Sequence, residues 1–463
     1  MVIALTSLNE KIIKVFGELA VDKRLARMRE VARLPRFISE YLISRYKEPN
    51  ELVQIVAEYY PDPSERDKVL NRLKLEGSIK LIDEFKVDVD LKHDIYKLHI
   101  PCLQIHDALA SESIVKNYER ILSGLWGIGL LEYRSDMMEG SSVSVTPILL
   151  SDFKPFQVYN IDLKEYINAR KKFTLQEWID VLIQSIGLNP NMYDEQSKLL
   201  LLMRLVPLVE GNVNMLELGP RATGKTYLYR NISYYTRIYA GGTISPARLF
   251  FDARLKVVGD IGACDAVIFD EVNRVRFSSP EVVAKLKDYM VDGHFERATL
   301  KRAYSDCSII FLGNLDISMP TSFIDYLPDF MRDTAFLDRI HGLLPGWELP
   351  KIKKSEIHLA QGCGLAVDYL SEIFHQLRKH DVQSTIEGMV ELVGDYTIRD
   401  EKGVFKLLSG LFKLLFPHEE CDKSELKSIA SIAVKARQRI ADALTRLSPI
   451  EFRKKTLGFV VRG

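Results

Sequence analysis

Residues 216–226 read Leu216-Glu217-Leu218-Gly219-Pro220-Arg221-Ala222-Thr223-Gly224-Lys225-Thr226. An apolar strand runs into the spacing G-x-x-x-x-G-K-T, which is typical of a loop that binds phosphate groups. Gly219 and Gly224 permit a tight turn whose backbone N–H groups point inward at phosphate oxygens. In such loops the lysine, here Lys225, reaches the β- and γ-phosphates, and the hydroxyl of Thr226 is a ligand of Mg²⁺. We therefore predict that Gly219 to Thr226 bind a nucleoside triphosphate with Mg²⁺.

A second apolar run, Ala266-Val267-Ile268-Phe269-Asp270-Glu271, ends in two acids. Its length predicts a buried parallel strand, and open α/β sheets bind ligands at the carboxyl ends of such strands. We predict that Asp270 holds Mg²⁺, directly or through water, and that Glu271 polarises the attacking water. Taken alone, the run is also compatible with a strand that ends in a solvated acidic turn.

A third run repeats the pattern in Ser308-Ile309-Ile310-Phe311-Leu312-Gly313-Asn314. It predicts another buried strand that ends in a polar amide, and we expect Asn314 to orient the same water. Three buried strands that deliver these side chains in this order favour a nucleotide-hydrolysing α/β domain over three unrelated turns.

This order of motifs, followed by an arginine, resembles that of AAA+ ATPases. The segment Phe336-Leu337-Asp338-Arg339-Ile340 is similar to the one that carries the arginine finger in Lon and in MCM helicases. The resemblance implies that ATP and Mg²⁺ are the cofactors and that Arg339 reaches into a neighbouring subunit's nucleotide. A structural pair between Arg339 and Asp338 is the alternative, and Arg332 is a second candidate for the finger.

Longer motifs, spread from about residue 30 to residue 415, resemble the Lon-like ATPases of BREX phage-defence systems, the BrxL family. They include Leu34-Pro35-Arg36, Asp270-Glu271-Val272, Lys287-Asp288-Tyr289-Met290, Asp338-Arg339-Ile340-His341 and Leu344-Pro345-Gly346-Trp347-Glu348. The resemblance implies an AAA+ ring, hexameric or similar, that hydrolyses ATP, binds DNA and works with other BREX components. Whether two rings stack stays open.

Composition sets the class of protein. The 463 residues are 47% hydrophobic and 27% charged, which is ordinary for a soluble globular chain of several domains. We find no apolar run of about eighteen residues and no secretory signal, so we expect neither membrane insertion nor export. Five cysteines without metal-ligand spacing favour a reducing cytoplasm. The formal net charge is zero, so any DNA binding must depend on local basic patches.

The predicted fold class is α/β, a P-loop AAA+ core whose parallel sheet is flanked by helices. We predict an N-terminal helical domain at 1–77, a β-rich domain at 78–170, the ATPase core at 171–352 and a helical lid with C-terminal helices at 353–463. Strict alternation at Lys86–Leu91 and Ser142–Val145, with a strand-like stretch at Gly124–Tyr133, indicates a small barrel. An OB-like barrel follows partly by analogy with MCM-type ATPases, and a β-rich spacer without a ligand is the alternative.

Basic side chains in two places are candidates for DNA contacts. Asp22 to Arg36 is strongly basic with helical apolar spacing up to Pro35, and we single out Arg24 and Arg27. Gly293 to Asp306 is predicted to form a hairpin before the Asn314 strand, with Arg297, Lys301 and Arg302 as the candidates. A solvated helix face and a surface hairpin are the respective alternatives.

The C-terminal region is predicted to be wholly helical after Pro350, as expected for a lid. Thr397-Ile398-Arg399-Asp400 is a helix start that places Arg399 in the first turn. In the resembling superfamily the second sensor arginine at this place faces the γ-phosphate, and an exposed first-turn arginine is the alternative. We see no segment that resembles the Lon peptidase domain, so we do not expect this chain to be a protease.

Three functions fit these observations. The first is an ATP-driven, ring-forming DNA motor of the BREX type. The second is a nucleotide-switched clamp or scaffold on DNA without motor activity. The third, suggested by the Lon kinship, is an unfoldase that serves a separate peptidase.

Overall fold

The computed structural model describes residues 7–46, 48–135, 145–156, 161–254, 257–297, 300–315, 322–353 and 356–462. These residues form two units, one within Arg24–Asn160 and the other before and after that range. We call them the barrel unit and the ATPase unit. The chain opens with α1 (Ser7–Phe16) and β1 (Ala20–Asp22), which belong to the ATPase unit.

The barrel unit begins with three helices: α2 (Arg36–Arg45), α3 (Pro49–Tyr59) and α4 (Arg66–Glu76). The prediction of an α-helix in the basic segment before them is wrong. The segment forms two 3₁₀ turns, Leu25–Arg27 and Val31–Arg33, because Leu34 precedes a proline and is held extended. Ser39 donates its hydroxyl to the carbonyls of Val31 and Leu34, at 3.0 and 3.4 Å, in place of helical N–H groups. The predicted break at Pro35 is confirmed.

The strands of the barrel unit close into one barrel. The elements are β2 (Ser78–Asp90), β3 (Ile95–Ile100), β4 (Ile105–Ala110), α5 (Glu112–Asn117), β5 (Leu125–Tyr133) and β6 (Ile148–Pro155). The order around the barrel is β2-β3-β4-β6-β5, and every neighbouring pair is antiparallel except β4 with β6. The predicted alternation is confirmed at Val87, which is buried between exposed Lys86 and Asp88. The predicted strand at Ser142–Val145 falls almost wholly outside the described residues.

The ATPase unit continues after the barrel. Its elements up to the last sheet strand are α6 (Leu163–Arg170), α7 (Leu175–Ser185), α8 (Glu195–Met203), α9 (Val206–Val209), β7 (Asn214–Gly219), α10 (Lys225–Ile232), β8 (Thr236–Ile244), α11 (Pro246–Leu249), β9 (Phe251–Asp252), β10 (Val257–Val258), α12 (Asp260–Ala263), β11 (Ala266–Phe277), α13 (Pro280–Asp292), β12 (His294–Arg297), β13 (Leu300–Tyr304), β14 (Ser308–Asn314), α14 (Thr334–Leu337) and β15 (Gly342–Pro345).

A five-stranded parallel sheet organises this unit, in the order β15-β7-β14-β11-β8. Its central strands are fully buried because helices cover the sheet, which explains their unbroken apolar runs. Phe269 and Phe311 stack across neighbouring strands with ring centroids 5.2 Å apart. The predicted α/β class with a parallel sheet is confirmed, as is the hairpin, since β12 and β13 pair antiparallel.

One predicted helix is interrupted. The sequence predicts a single helix from Tyr193 to Val209, but α8 ends at Met203 and α9 begins at Val206. Pro207 explains the break, because it has no N–H to donate to the carbonyl four residues earlier, that of Met203. The interruption frees Arg204 to turn toward the sheet.

The C-terminal elements are β16 (Cys363–Leu365), α15 (Val367–Leu377), α16 (Gln383–Met389), β17 (Val390–Val393), α17 (Ile398–Leu415), α18 (Lys423–Leu447) and β18 (Gly458–Val461). The prediction that this region is wholly helical is therefore wrong. β16 pairs with β1 near the start of the chain, and β17 pairs with β18. Val390 to Val393 alternates buried and exposed, which is the period of a strand. The predicted capping box of α17 is confirmed at Thr397 and Asp400.

Candidate nucleotide site

The loop between β7 and α10 has the backbone of a phosphate-binding turn. Gly224 lies in the left-handed region at φ 78°, Ala222 has φ 66°, and α10 begins at Lys225. The Lys225 ammonium is buried and donates to the carbonyls of Gly219 and Pro220, at 2.9 and 3.1 Å. Backbone N–H groups of the first turn of α10 are therefore available to an anion at this loop, and Thr226, the second residue of α10, is partly exposed there.

A fully buried ion pair supports this loop from below. Arg204 forms a two-pronged contact with Glu217 of β7, at 2.6 and 3.1 Å, and both side chains are inaccessible to solvent. The same guanidinium donates to the carbonyl of Thr223, at 2.9 Å. The pair thus joins α8, the sheet and the loop backbone. Sequence reasoning missed it, although a charged residue within an otherwise apolar buried strand signals a buried partner.

The chain after β15 packs along the loop. A Cβ at Gly219 would lie 2.5 Å from the carbonyl carbon of Gly346. Only glycine therefore lets the end of β7 approach the backbone that follows β15 this closely. Further on, the Ile352 N–H donates to the carbonyl of Ala222, at 2.7 Å. The segment from Gly346 to Ile352 therefore packs against the loop and stabilises its conformation.

The two acids lie at the end of the buried part of β11. Asp270 is buried, and its carboxylate accepts the N–H of Glu271, at 2.9 Å. Glu271 adopts φ 48°, a left-handed conformation that is uncommon for a residue with a Cβ. The pairing of β11 with β8 shifts register between Asp270 and Val275, and this irregularity turns the Glu271 side chain toward Arg274, at 3.0 Å.

Sheet order brings the predicted groups together. β14 lies between β7 and β11, and Asn314 is in register with Gly219. Because the strands are parallel, the loop, the two acids and Asn314 all lie at the carboxyl edge of the sheet. The structure therefore places Lys225, Thr226, Asp270, Glu271 and Asn314 around one edge.

The two predicted arginines lie at the other edge. The carbonyl of Arg339 accepts from the side chain of Asn214, the first residue of β7, at 3.1 Å. At about 3.3 Å per residue, β7 separates Asn214 from Gly219 by about 16 Å. Arg399 donates to the carboxylate of Asp338, the residue before Arg339, so the two arginines are neighbours. Burial, together with the charge of Arg399, lowers the pKa of the Arg339 guanidinium. Neither is brought to the phosphate-binding loop of its own chain.

Asp338 organises this second edge. Its carboxylate accepts from Arg399 and from the buried Arg437, the latter at 2.7 Å. Arg437 also donates to Asp400, at 2.9 Å, and to the carbonyl of Ile340, at 2.6 Å. Asp338 thus pairs with Arg399 rather than with the adjacent Arg339, whose guanidinium donates to the carbonyl of Ala335.

Two known protein families match different parts of the chain. Residues 148–458 match the family described as Lon-like protease BrxL-like, ATPase domain. Residues 14–133 match the one described as BREX system Lon protease-like protein BrxL N-terminal. The chain belongs to the BrxL family.

Two curated relatives in the BrxL family are each named Lon-like protease BrxL. The protein of Bacillus cereus (strain H3081.97) is 34% identical over 96% of this chain and 68% of its own length. The protein of Escherichia coli O9:H4 (strain HS) is 33% identical over 94% of this chain and 64% of its own length. The chain therefore spans about two thirds of the length of these relatives.

The residues singled out for DNA in this BrxL-family chain lie in different places. Arg24 and Arg27 flank and end the 3₁₀ turn Leu25–Arg27 of the barrel unit and are half-buried. Arg302, on β13 of the ATPase unit, is exposed and pairs with Asp292, at 3.2 Å. The side chains of Arg297 and Lys301 lie outside the described part of the chain. Among the described helices, none combines the length and the apolar character that a bilayer crossing needs.

We expect the Arg204→Met substitution to destabilise the ATPase unit by about 3–5 kcal/mol, because it leaves Glu217 buried without its partner. Arg204→Met combined with Glu217→Met should recover most of this loss, since no buried charge remains. Calorimetric unfolding of both variants measures the difference. The matched control is Arg230→Met, which removes an exposed arginine of α10. A loss for Arg204→Met no greater than for the control would contradict a structural role of the pair.

Proposed function

We propose that the chain is the ATP-hydrolysing, ring-forming, DNA-binding part of a BREX-type antiphage defence system. The observation that carries the proposal is the division of polar groups between the two edges of the parallel sheet. One edge holds the groups that bind a triphosphate and activate water. The other edge holds two adjacent arginines.

The residues at the carboxyl edge suit ATP and Mg²⁺. Lys225 and the N–H groups that open α10 offer positive charge to phosphate oxygens. Asp270 and Thr226 supply oxygen donors, the ligand type that Mg²⁺ prefers, and they would hold the cation. When bound, Mg²⁺ neutralises charge on the β- and γ-phosphates. Glu271 orients and deprotonates the attacking water, and Asn314 holds that water by a hydrogen bond.

A ring of subunits would account for the positions of Arg339 and Arg399. Arg339 and Arg399 lie about one strand length, about 16 Å, from the loop of their own chain, which is beyond the reach of an arginine side chain. In the ring that we propose, the amino edge of one subunit would face the carboxyl edge of the next, so both arginines would stabilise transition-state charge on the neighbour's nucleotide. Ring closure would therefore bring Arg339 and Arg399 to a nucleotide that they cannot reach within their own chain. A hexameric or similar ring is the assembly we propose.

The barrel supports DNA as the partner. A closed five-stranded barrel with a helix between its third and fourth strands fits the OB type, whose members bind oligonucleotides. The hairpin of β12 and β13 carries exposed Arg302, and arginine side chains contact phosphates independently of base sequence. The helices from α15 to α18 would then form the lid of the ATPase.

The name of the curated relatives favours one other candidate, an unfoldase that feeds a peptidase. The two functions differ in what stimulates hydrolysis. DNA added to the purified chain should raise ATP turnover if the chain acts on DNA, whereas an unfolded polypeptide should raise it if the chain is an unfoldase. A nucleotide-switched clamp would respond to DNA but would not displace or track along a strand.

We expect Glu271→Gln to lower ATP turnover by about 10²–10⁴-fold while ATP still binds, because the amide cannot accept the proton of the attacking water. Phosphate release and fluorescent-nucleotide binding measure the two effects. Glu281→Gln is the matched control, since this acid in the first turn of α13 is exposed and pairs with Lys285. Unchanged turnover in Glu271→Gln would overturn the mechanism.

We expect Arg339→Ala to lower turnover by about 10³–10⁵-fold, as for the loss of an arginine supplied by a neighbouring subunit. Mixing Arg339→Ala chains with Lys225→Ala chains should restore part of the activity, because some interfaces then combine an intact loop with an intact arginine. Phosphate release across a series of mixing ratios tests this. If no ratio exceeds the activity of the two variants measured separately, the shared site is wrong.

A further inference from the structure

A polar cavity of about 450 Å³ lies at the amino edge of the sheet, where the chain turns from α15 into α16 and packs against α17. Four basic side chains and two acidic ones line it, which leaves a formal excess of two positive charges. The basic side chains are Arg378, Lys402, Lys406 and Lys413, and the acidic ones are Glu210 and Asp381. His380 also faces the cavity.

Helix α17 supplies most of this charge. Lys402, Lys406, Ser409 and Lys413 follow one another at spacings of four, three and four residues, so they share one face of the helix. Lys406, Ser409 and Lys413 all contact the carboxylate of Glu210, at 2.6 to 2.7 Å. Burial opposes the ionisation of Glu210, but the two lysines outweigh it and hold its pKa below the ordinary value. The single carboxylate of Glu210 thus forms ion pairs with two ammonium groups.

Arg378 is already committed to the fold. It donates to the carbonyls of Pro207 and Glu210, at 2.7 and 3.3 Å, and it pairs with Asp265 and Asp306. Its charge is therefore compensated by the two aspartates. The positive excess of the cavity comes from the lysines.

Lys402 is the least compensated of the three lysines. Its ammonium donates to the carbonyl of Val291, and within the described residues no carboxylate lies at ion-pair distance from it. Partial burial, and next the charge of Lys406, lower the pKa of Lys402, and the negative charge of Asp292 opposes them without cancelling them. An ammonium beside a second ammonium is stabilised when an anion enters the space between them.

The cavity is distinct from the candidate nucleotide site. Glu210 and Lys406 lie where the chain enters β7, since Lys406 also donates to the carbonyl of Gly211, at 2.8 Å. The phosphate-binding loop begins at the far end of that strand, about 16 Å away. Lys402 is one turn along α17 from Arg399, so a ligand here would contact the helix that carries this arginine.

We propose that this cavity binds a small anion that carries a diphosphate group, through Lys402 and Lys406. Its volume is within the range of small-molecule sites and admits a nucleotide-sized ligand. Two ammonium groups on one helix face suit a pair of linked phosphates, because lysine binds phosphate as a point charge without demanding a planar geometry.

Pyrophosphate is the probe, and the protein is the Lys225→Ala variant, so that the phosphate-binding loop does not compete. Calorimetric titration should show binding that weakens as salt is raised. Lys402→Gln should weaken it at least tenfold, and Lys402→Arg, which keeps the charge, should change it less than threefold. Lys379→Gln removes an exposed lysine at the end of α15 and should have no effect.

The outcomes separate clearly. Absence of binding to the Lys225→Ala protein, or equal binding by the Lys402→Gln and Lys379→Gln variants, would overturn the proposal. If Lys402→Gln lowers the melting temperature, Lys406→Gln provides the second test and should also weaken binding at least tenfold. Displacement of pyrophosphate by a single-stranded oligonucleotide would assign the cavity to a nucleic-acid surface and would likewise overturn it.

Discussion

Parallel pairing on both sides of β7 is the constraint on which the rest of the structure depends. β15 and β14 hold this strand in fixed register, with Leu343 and Phe311 both opposite Leu216. At its amino end, His341 reinforces the pairing twice. Its N–H donates to the carbonyl of Asn214, at 2.7 Å, and its Nδ1 accepts the N–H of Asn214, at 3.0 Å. Burial holds the pKa of His341 well below its ordinary value, so the ring stays neutral and able to accept. A slip of β7 would therefore displace both ends of the strand together.

Much of the nucleotide edge could be predicted from the sequence because each group follows its own buried strand directly. Asp270 and Asn314 end apolar runs, and a parallel sheet collects such ends without any knowledge of the loops between them. The left-handed conformation of Glu271 could not be predicted, because it depends on the register shift against β8. The pairing of Asp338 with Arg399 could not be predicted either, since the two residues are 61 positions apart in sequence and meet only through tertiary packing.

The sequence did not predict the short strands of the C-terminal region, because an alternating pattern of only four residues lies between long helical segments. β17 has the alternation of a strand, but its partner β18 lies at the other end of the C-terminal region. A strand this short is stable only through its partner, so local sequence carries little of the signal. The same reasoning applies to the basic segment near Arg24, where helical spacing was present but the proline after Leu34 and the hydroxyl of Ser39 favoured 3₁₀ turns.

Buried charge connects the two edges of the sheet. Arg204 and Glu217 lie under the phosphate-binding loop, and Arg437 lies under the arginines, with Asp338 and Asp400 as its partners. Each cluster joins elements that are distant in sequence, and each has little freedom to move, because a buried ion that leaves its partner carries a large desolvation cost. A shift of the loop that kept both clusters intact would therefore move β7 as a unit. In the ring that we propose, such a movement would shift Asp338 and the arginines beside it relative to the next subunit, and it would thereby couple the proposed ATP hydrolysis at neighbouring sites.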